Sequence, residues 1–284
     1  MTADPLPPAG GLSRRGFLVA AGLAAAGAAG VVGASTAPPA DADPVVARAP
    51  GRLPTRAEIV DEFAGRRPRR FGMFLPGMVR NGKERVALTF DACGGPRGSG
   101  YDTSIISTLR KKKIPATLFL NSRWIEAHPH VAADLADDPL FELANHGWLH
   151  RPLTVAGQTA YGIRGTSGPG EAYDEIIRGL HAVAALTGRT PRWYRPGTAW
   201  ADDVGVAIAQ RLGLRVIAFS INADAGATAS TKEVVAHLRK ARRTDITLAH
   251  VNQPHGRTGE GLARELPRMI HAGRRFGTLS RVLA

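Results

Sequence analysis

Strand-like and helix-like runs alternate along this chain from about residue 85 to its end. Six short runs read as strands: 85–90, 116–120, 141–145, 192–195, 215–221 and 245–251. Six stretches with helical periodicity lie between and after them: 103–112, 130–137, 170–187, 202–212, 231–242 and 259–275. Such alternation predicts an α/β fold with a parallel sheet and helical crossovers, and its regularity is compatible with a barrel.

Several polar residues fall at the carboxyl ends of these predicted strands. They are Asp91, His146, His150, Arg195, Asp224 and His250. In parallel α/β folds the carboxyl ends of the strands share one face, and active sites form there. Core packing does not account for six polar residues placed in this way, so the pattern predicts a functional site.

The motif NHGWLH (145–150) places two histidines four residues apart. On one helical turn this spacing puts both imidazoles on the same side, where they can share a metal ion. Gly147 and Pro152 limit any helix here to a short turn. Alone, the pair is compatible with capping or surface histidines. Beside a carboxylate at a strand end, it favours a metal site.

The first 42 residues have the features of an export signal. Arg14 and Arg15 precede a run rich in Ala, Gly and Val, which the small residues of STAPPADADP follow. This pattern is typical of the bacterial twin-arginine route, although an N-terminal anchor is the alternative. The run is marginal for a membrane span. We therefore predict cleavage after Ala42, or near Ala37, and no stable span in the released protein.

The chain is strongly basic. Lys and Arg number 37 against 24 Asp and Glu, a net charge of +13, and residues 1–42 carry two charges of each sign. An exported protein of this charge is attracted to anionic wall polymers. Nucleic acid is the competing partner, but no recognition-helix, zinc-finger or RNA-binding signature supports it. The single cysteine excludes an intramolecular disulfide.

Residues 43–80 are rich in Pro, Arg and Ala and show little periodicity, which predicts a linker or leader. Its segment FAGRRPRRFG (63–72) is either a basic surface or a solubilising stretch. We place the catalytic domain at 81–284.

Five motifs occur in a fixed order: LTFDACGG, NHGWLH, YRPG, FSINADAG and ITLAH. Together they resemble the motifs of the polysaccharide deacetylase family, the NodB-homology carbohydrate esterases, over about residues 84–284. The resemblance implies a distorted (β/α) barrel that removes acetyl groups from sugars with a divalent metal ion, often zinc. It also implies Asp91 as general base, His146 and His150 as metal ligands, Arg195 as the residue that orients the base, and His250 as general acid.

Three further roles follow from the chemistry around these motifs. Backbone N–H groups near Thr198 would suit a developing oxyanion. Trp200 is a candidate for stacking on a sugar ring. Asp224 would support His250, a role that Asn222 could also fill.

The first motif departs from the family pattern, in which a second acid follows the base and binds the metal. Here Ala92 stands at that position. Asp102 is the nearest later carboxylate, and it is either the missing ligand or the N-cap of the next helix. Cys93 is a packed small residue, a soft metal ligand or a nucleophile paired with histidine. We predict that Asp102 completes the site and that Cys93 serves packing.

The sequence therefore predicts an exported metal-dependent hydrolase that deacetylates an N-acetylated polysaccharide, and the family resemblance implies zinc as the metal. Its export signal and basic charge favour peptidoglycan over chitin or xylan. The missing second acid motivates an alternative: a wall-binding protein that kept the fold and lost catalysis.

Overall fold

The structure, a computed structural model, describes residues 52–96 and 98–284. The predicted signal peptide and its cleavage site lie outside the described residues. The strands are β1 (Phe71–Gly72), β2 (Met78–Val79), β3 (Ala87–Ala92), β4 (Ala116–Leu120), β5 (Phe141–Asn145), β6 (Thr159–Ala160), β7 (Ile163–Arg164), β8 (Trp193–Tyr194), β9 (Ala201–Asp202), β10 (Arg215–Ile217), β11 (Ile221–Asn222) and β12 (Ile246–His250).

The helices are α1 (Arg56–Glu62), α2 (Thr103–Lys112), α3 (Ser122–Ala127), α4 (Pro129–Asp137), α5 (Pro169–Thr187), α6 (Asp203–Arg211), α7 (Thr231–Arg239), α8 (Thr258–His271) and α9 (Leu279–Val282), with a 3₁₀ turn at Gly197–Ala199. The six predicted helices correspond to α2 and α4–α8, with small differences at their ends. In the longest, α5, Pro169 lies in the first turn and Gly188 ends the helix at φ +65°. Across the described ranges, no helix combines the length and apolarity needed to cross a membrane.

Eight strands form one parallel sheet in the order β11-β12-β3-β4-β5-β8-β10-β2. The sheet curls and helices pack around it, which confirms the predicted distorted (β/α) barrel. In the register of β12 against β3, His250 lies opposite Asp91. The carboxyl ends of the strands therefore meet at one end of the barrel, as the placement of polar residues predicts.

Side chains of β3 alternate between two cores, because successive residues of a strand point to opposite faces. Phe90 and Ala92 belong to the core that packs against the helices. Ala87 belongs to a separate cluster inside the curl, together with Phe119 and Trp193. By this alternation the Asp91 side chain faces the interior of the curl, on the same side as Ala87.

Part of the segment predicted as a leader is folded into this unit. Strand β2 pairs with β10 at the edge of the main sheet, and α1 packs against α5. Helix α1 begins with a capping box between Thr55 and Glu58. A two-residue strand and a seven-residue helix are too short for hydrophobic periodicity to reveal them.

Candidate active site

A buried ion pair lies at the end of β3. Arg195 Nη1 donates to Asp91 Oδ1 at 2.7 Å, and neither side chain is more than 3% exposed. Arg195 also donates to the carbonyl oxygens of Ile217 at 3.2 Å and Ala218 at 3.1 Å. These bonds fix the guanidinium, which in turn fixes the orientation of the carboxylate.

The second oxygen of Asp91 faces the histidines. Its Oδ2 lies 3.5 Å from His146 Nε2. Burial acts to raise the pKa of Asp91, but Arg195 and two nearby imidazoles together hold that pKa below its ordinary value. Asp91 is therefore ionised at neutral pH, with one oxygen held and the other turned toward the site.

His250 is oriented by a carboxylate from the loop after β11. Its Nδ1 lies 2.9 Å from Asp224 Oδ1, and its backbone N–H donates to Asp224 Oδ2 at 2.7 Å. The hydroxyl of Thr258 donates to the same Oδ2 at 2.9 Å. Burial alone would lower the pKa of His250, yet Asp224 and the neighbouring thiol raise it well above its ordinary value. The structure thus places Asp224, rather than Asn222, behind His250.

Three potential metal ligands converge beside Asp91. Cys93, His146 and His150 each offer one donor atom, and these atoms all lie within 4.8 Å of one another. His146 Nδ1 lies 2.9 Å from the carbonyl oxygen of Arg195. Because a carbonyl oxygen can only accept a hydrogen bond, Nδ1 carries the proton. The lone pair of Nε2 is then available to bind a metal ion.

The loop that carries His150 is held from α5. The Glu175 carboxylate accepts the backbone N–H of Leu149 at 2.9 Å and that of Arg151 at 3.2 Å. Between them His150 has φ +60°, a strained conformation for a residue with a side chain. His150 Nε2 is shielded from solvent and has no hydrogen-bond partner in the part of the chain that the structure describes. A buried imidazole nitrogen with no protein partner is free to bind a metal ion.

Glu175→Ala should loosen this loop. The variant leaves two backbone N–H groups without their acceptor, which should cost at least about 2 kcal/mol in the free energy of unfolding. It should also weaken zinc binding by about 10–100-fold, as loss of a group that orients a ligand commonly does. Chemical denaturation and zinc titration measure the two effects, with Glu126→Ala, exposed on α3, as the control. Unchanged zinc affinity would show that the loop holds His150 without Glu175.

The structure does not bring Asp102 to the two histidines. Its Oδ1 accepts the backbone N–H of Ser104 at 3.0 Å, as the N-cap of α2. The structure therefore favours the alternative role of Asp102, the N-cap of α2, over the prediction that it is the third metal ligand. The glycine-rich loop does not turn the Asp102 carboxylate toward the site, because the carboxylate accepts a hydrogen bond from an unpaired backbone N–H at the start of α2.

Cys93 takes the place predicted for Asp102. Its Sγ lies 3.5 Å from His146 Nε2. Burial acts to raise the pKa of the thiol, but the charge of His150 and the adjoining imidazoles hold it well below its ordinary value. The period-two alternation of β3 could have found this residue, because residue 93 follows Asp91 on the same side whereas Ala92 faces the helices.

The two predicted substrate residues lie on the turn after Arg195. Thr198 and Ala199 have φ +66° and +61°, and such strain in residues with side chains is common at functional sites. The half-buried Trp200 ring lies 5.0 Å from Phe71 and 6.4 Å from Tyr161, centroid to centroid. Tyr161 is 54% exposed at the tip of the β6–β7 hairpin. Trp200 therefore belongs to a small aromatic group with Phe71 and Tyr161, two residues that the sequence analysis does not indicate.

Comparison with known proteins decides the family. The family model for polysaccharide deacetylase matches residues 79–217, a range that contains Asp91, both histidines and Arg195. Residues 79–217 of this chain carry a polysaccharide deacetylase domain. The predicted resemblance is confirmed. No protein of curated function matches the chain by sequence.

Several solved structures share the fold of this chain. BA3943 from Bacillus anthracis, described as a CE4 family pseudoenzyme, is 23% identical with a TM-score of 0.61, over 74% of this chain and 70% of its own. The Bc1960 peptidoglycan N-acetylglucosamine deacetylase is 22% identical with a TM-score of 0.61, over 73% of this chain and 92% of its own. A family 4 carbohydrate esterase from Streptomyces lividans is 23% identical with a TM-score of 0.57, over 69% and 93% respectively.

Proposed function

We propose that this protein is a metal-dependent deacetylase that hydrolyses the N-acetyl groups of peptidoglycan. One observation carries the proposal: an ionised carboxylate and a carboxylate-backed histidine lie opposite each other in register, beside a cluster of three metal-ligand donors. A base, an acid and a place for a Lewis acid are the groups that amide hydrolysis requires.

The candidate ligand atoms beside Asp91 suit a divalent cation, and among such cations they suit zinc best. His146 Nδ1 is engaged with the carbonyl of Arg195, which leaves its Nε2 on the side of Cys93 and Asp91, and His150 Nε2 is buried without a hydrogen-bond partner in the described residues. These two residues would hold the ion with one further ligand. A bound divalent cation polarises a carbonyl and lowers the pKa of water.

The chain's own groups divide the proton transfers. Asp91 Oδ2 accepts a proton from the attacking water, while Oδ1 stays bound to Arg195. His250, protonated and backed by Asp224, gives a proton to the departing amine nitrogen, so that the C–N bond breaks and acetate is released. The turn at Thr198 is the proposed place for a backbone N–H group that would stabilise the carbonyl oxygen as its charge develops. Trp200 would stack on a sugar ring.

The substrate choice rests on charge and on the fold. One structural relative is named as a peptidoglycan N-acetylglucosamine deacetylase. The net charge of +13 favours association with an anionic wall. Acetate release should therefore be faster from peptidoglycan than from chitin or acetylated xylan at equal acetyl content. An enzymatic acetate assay on the three polymers tests this, and a preference for xylan would exclude the proposed substrate.

A wall-binding protein without catalysis is the second candidate. The pseudoenzyme BA3943 favours it, since a protein with this fold can lack activity, and a mutant of that relative is described as having restored enzymatic activity. Sedimentation with wall fragments, together with absence of acetate release from the zinc-loaded protein, would support this second candidate over the first.

His146→Ala and His150→Ala should each strip the metal ion and abolish acetate release. The fold should survive, because the hydrophobic cores lie elsewhere. Metal analysis of the purified variants and circular dichroism measure the two outcomes, with His181→Ala, exposed on α5, as the control. Full metal occupancy in the double variant would contradict the ligand assignment.

We further propose export by the twin-arginine route to the cell wall or beyond. Arg14-Arg15→Lys-Lys should retain an unprocessed precursor inside the cell, because the route reads that pair. Fractionation and immunoblotting measure the distribution, with Arg66-Arg67→Lys-Lys as a control of the same chemistry. Normal secretion of the first variant would indicate the general secretory route instead.

A further inference from the structure

We propose that Cys93 is the third metal ligand, so that this deacetylase has a Cys-His-His centre selective for thiophilic cations such as zinc. The inference rests on the proposed function and specifies it. It concerns a residue that lies one position beyond the family's second acid and that is the only cysteine in the chain.

The distances suit a shared ion. A zinc ion binds thiolate at about 2.3 Å and imidazole at about 2.0 Å, and at a tetrahedral angle these bonds place the two donors about 3.5 Å apart. The distance from Cys93 Sγ to His146 Nε2 is 3.5 Å. The donor of His150 completes the group within 4.8 Å. The Cys93–His146 pair thus has the spacing of two ligands of one tetrahedral zinc ion, and the donor atom of His150 lies close to both.

The position of Ala92 explains why the cysteine is needed. Ala92 is fully buried in the core between the sheet and the helices and offers no donor atom, so the position of the family's second acid supplies no ligand here. The nearest later acid, Asp102, is engaged as a helix cap. Cys93, directly after the end of β3, offers a donor atom close to both histidines.

A nucleophilic Cys93 is the competing interpretation, because His250 with Asp224 lies nearby in the manner of a Cys-His-Asp triad. That arrangement leaves His146 and His150 without a task. It does not explain why His146 donates its Nδ1 proton to a backbone carbonyl, nor why the buried Nε2 of His150 has no partner in the described chain. A metal centre accounts for both observations.

The donor set determines which cations bind. Thiolate is a soft ligand that prefers zinc and similar ions, whereas carboxylate suits magnesium and manganese. A family site with aspartate in this role combines two imidazoles with a hard oxygen. Exchange of that oxygen for sulfur should raise the preference for zinc and cobalt over manganese. Selectivity, rather than affinity alone, therefore distinguishes this centre.

Cobalt substitution of the purified full-length protein tests the inference directly. After removal of bound metal with a chelator, titration with Co²⁺ should produce the near-ultraviolet charge-transfer band of a sulfur–cobalt bond. Cys93→Ser should abolish the band and weaken zinc binding by at least about tenfold. Cys93→Asp should bind without the band and with a preference shifted from zinc toward manganese. Asp102→Asn is the matched control and should keep both the band and the zinc affinity.

The outcomes separate the two proposals. A wild-type protein that binds no metal overturns both the ligand assignment and the proposed function. Metal binding without a sulfur–cobalt band overturns only the role of Cys93, and so does full zinc affinity in Cys93→Ser. Loss of acetate release in Cys93→Ser with zinc affinity unchanged would identify the cysteine as a nucleophile. Weakened zinc binding in Asp102→Asn, with Cys93→Ser unaffected, would restore the carboxylate as ligand.

Discussion

Asp91→Asn should lower the turnover of acetate release by about 10²–10⁴-fold, the usual contribution of a general base. The amide matches the carboxylate in shape and can still accept from Arg195 through its oxygen, but it cannot take a proton from water. Zinc content should be unchanged, because the proposed ligands are other residues. Steady-state kinetics on peptidoglycan and metal analysis of the same preparation measure both quantities.

The matched control is Asp137→Asn, an identical substitution on the exposed face of α4, which should leave turnover unchanged. If Asp91→Asn kept a turnover near that of the wild type, the base would have to be sought elsewhere. If instead the variant lost its metal, Asp91 would be a ligand and the division of roles at the end of β3 would be wrong.

Arg195→Met should destabilise the fold by about 3–5 kcal/mol, the range measured when one partner of a buried ion pair is removed. The substitution leaves the Asp91 carboxylate buried without its partner, and it leaves the carbonyl oxygens of Ile217 and Ala218 without their donors. The free energy of unfolding from chemical denaturation measures the loss. It should be the largest single-residue effect on stability in the site.

A double variant separates the two sources of this loss. Adding Asp91→Asn to Arg195→Met removes the unpaired charge, so the pair should be more stable than Arg195→Met alone. An equally unstable double variant would assign the loss to the two unsatisfied carbonyls. A single variant as stable as the wild type would show that the carboxylate finds another partner in the barrel.

The sequence predicts the barrel well because its strands and helices are long enough to carry a periodicity. The parallel orientation of β12, β3, β4 and β5 follows from their alternation with helices. The polar residues at the ends of these strands mark the end of the sheet that carries the candidate site. The short elements could not be predicted in this way. Strand β2 and helix α1 are held by pairing with β10 and packing on α5, contacts that no local pattern encodes.

The candidate ligands show the limit of reasoning from motifs. A carboxylate that follows a flexible loop is a plausible ligand in sequence, but the structure places Asp102 at the start of α2, where it accepts a backbone N–H. For Cys93, the alternation of β3 indicates the side of the sheet, but the sequence does not show which side chains surround the thiol. The three imidazoles that surround it come from distant parts of the chain.

Families of this kind are commonly divided into active and inactive members by checking which letters occupy aligned columns. Such a census would see alanine after the base and would sort this chain with the inactive members. If Cys93 binds the metal ion, a different criterion applies: what matters is whether a donor atom lies close to the two histidines, and not only whether an acid directly follows the base. Classification by the position of the donor atom would separate two groups of proteins that an alignment column treats as one. In the first group the third ligand is lost, and in the second group a neighbouring residue supplies it.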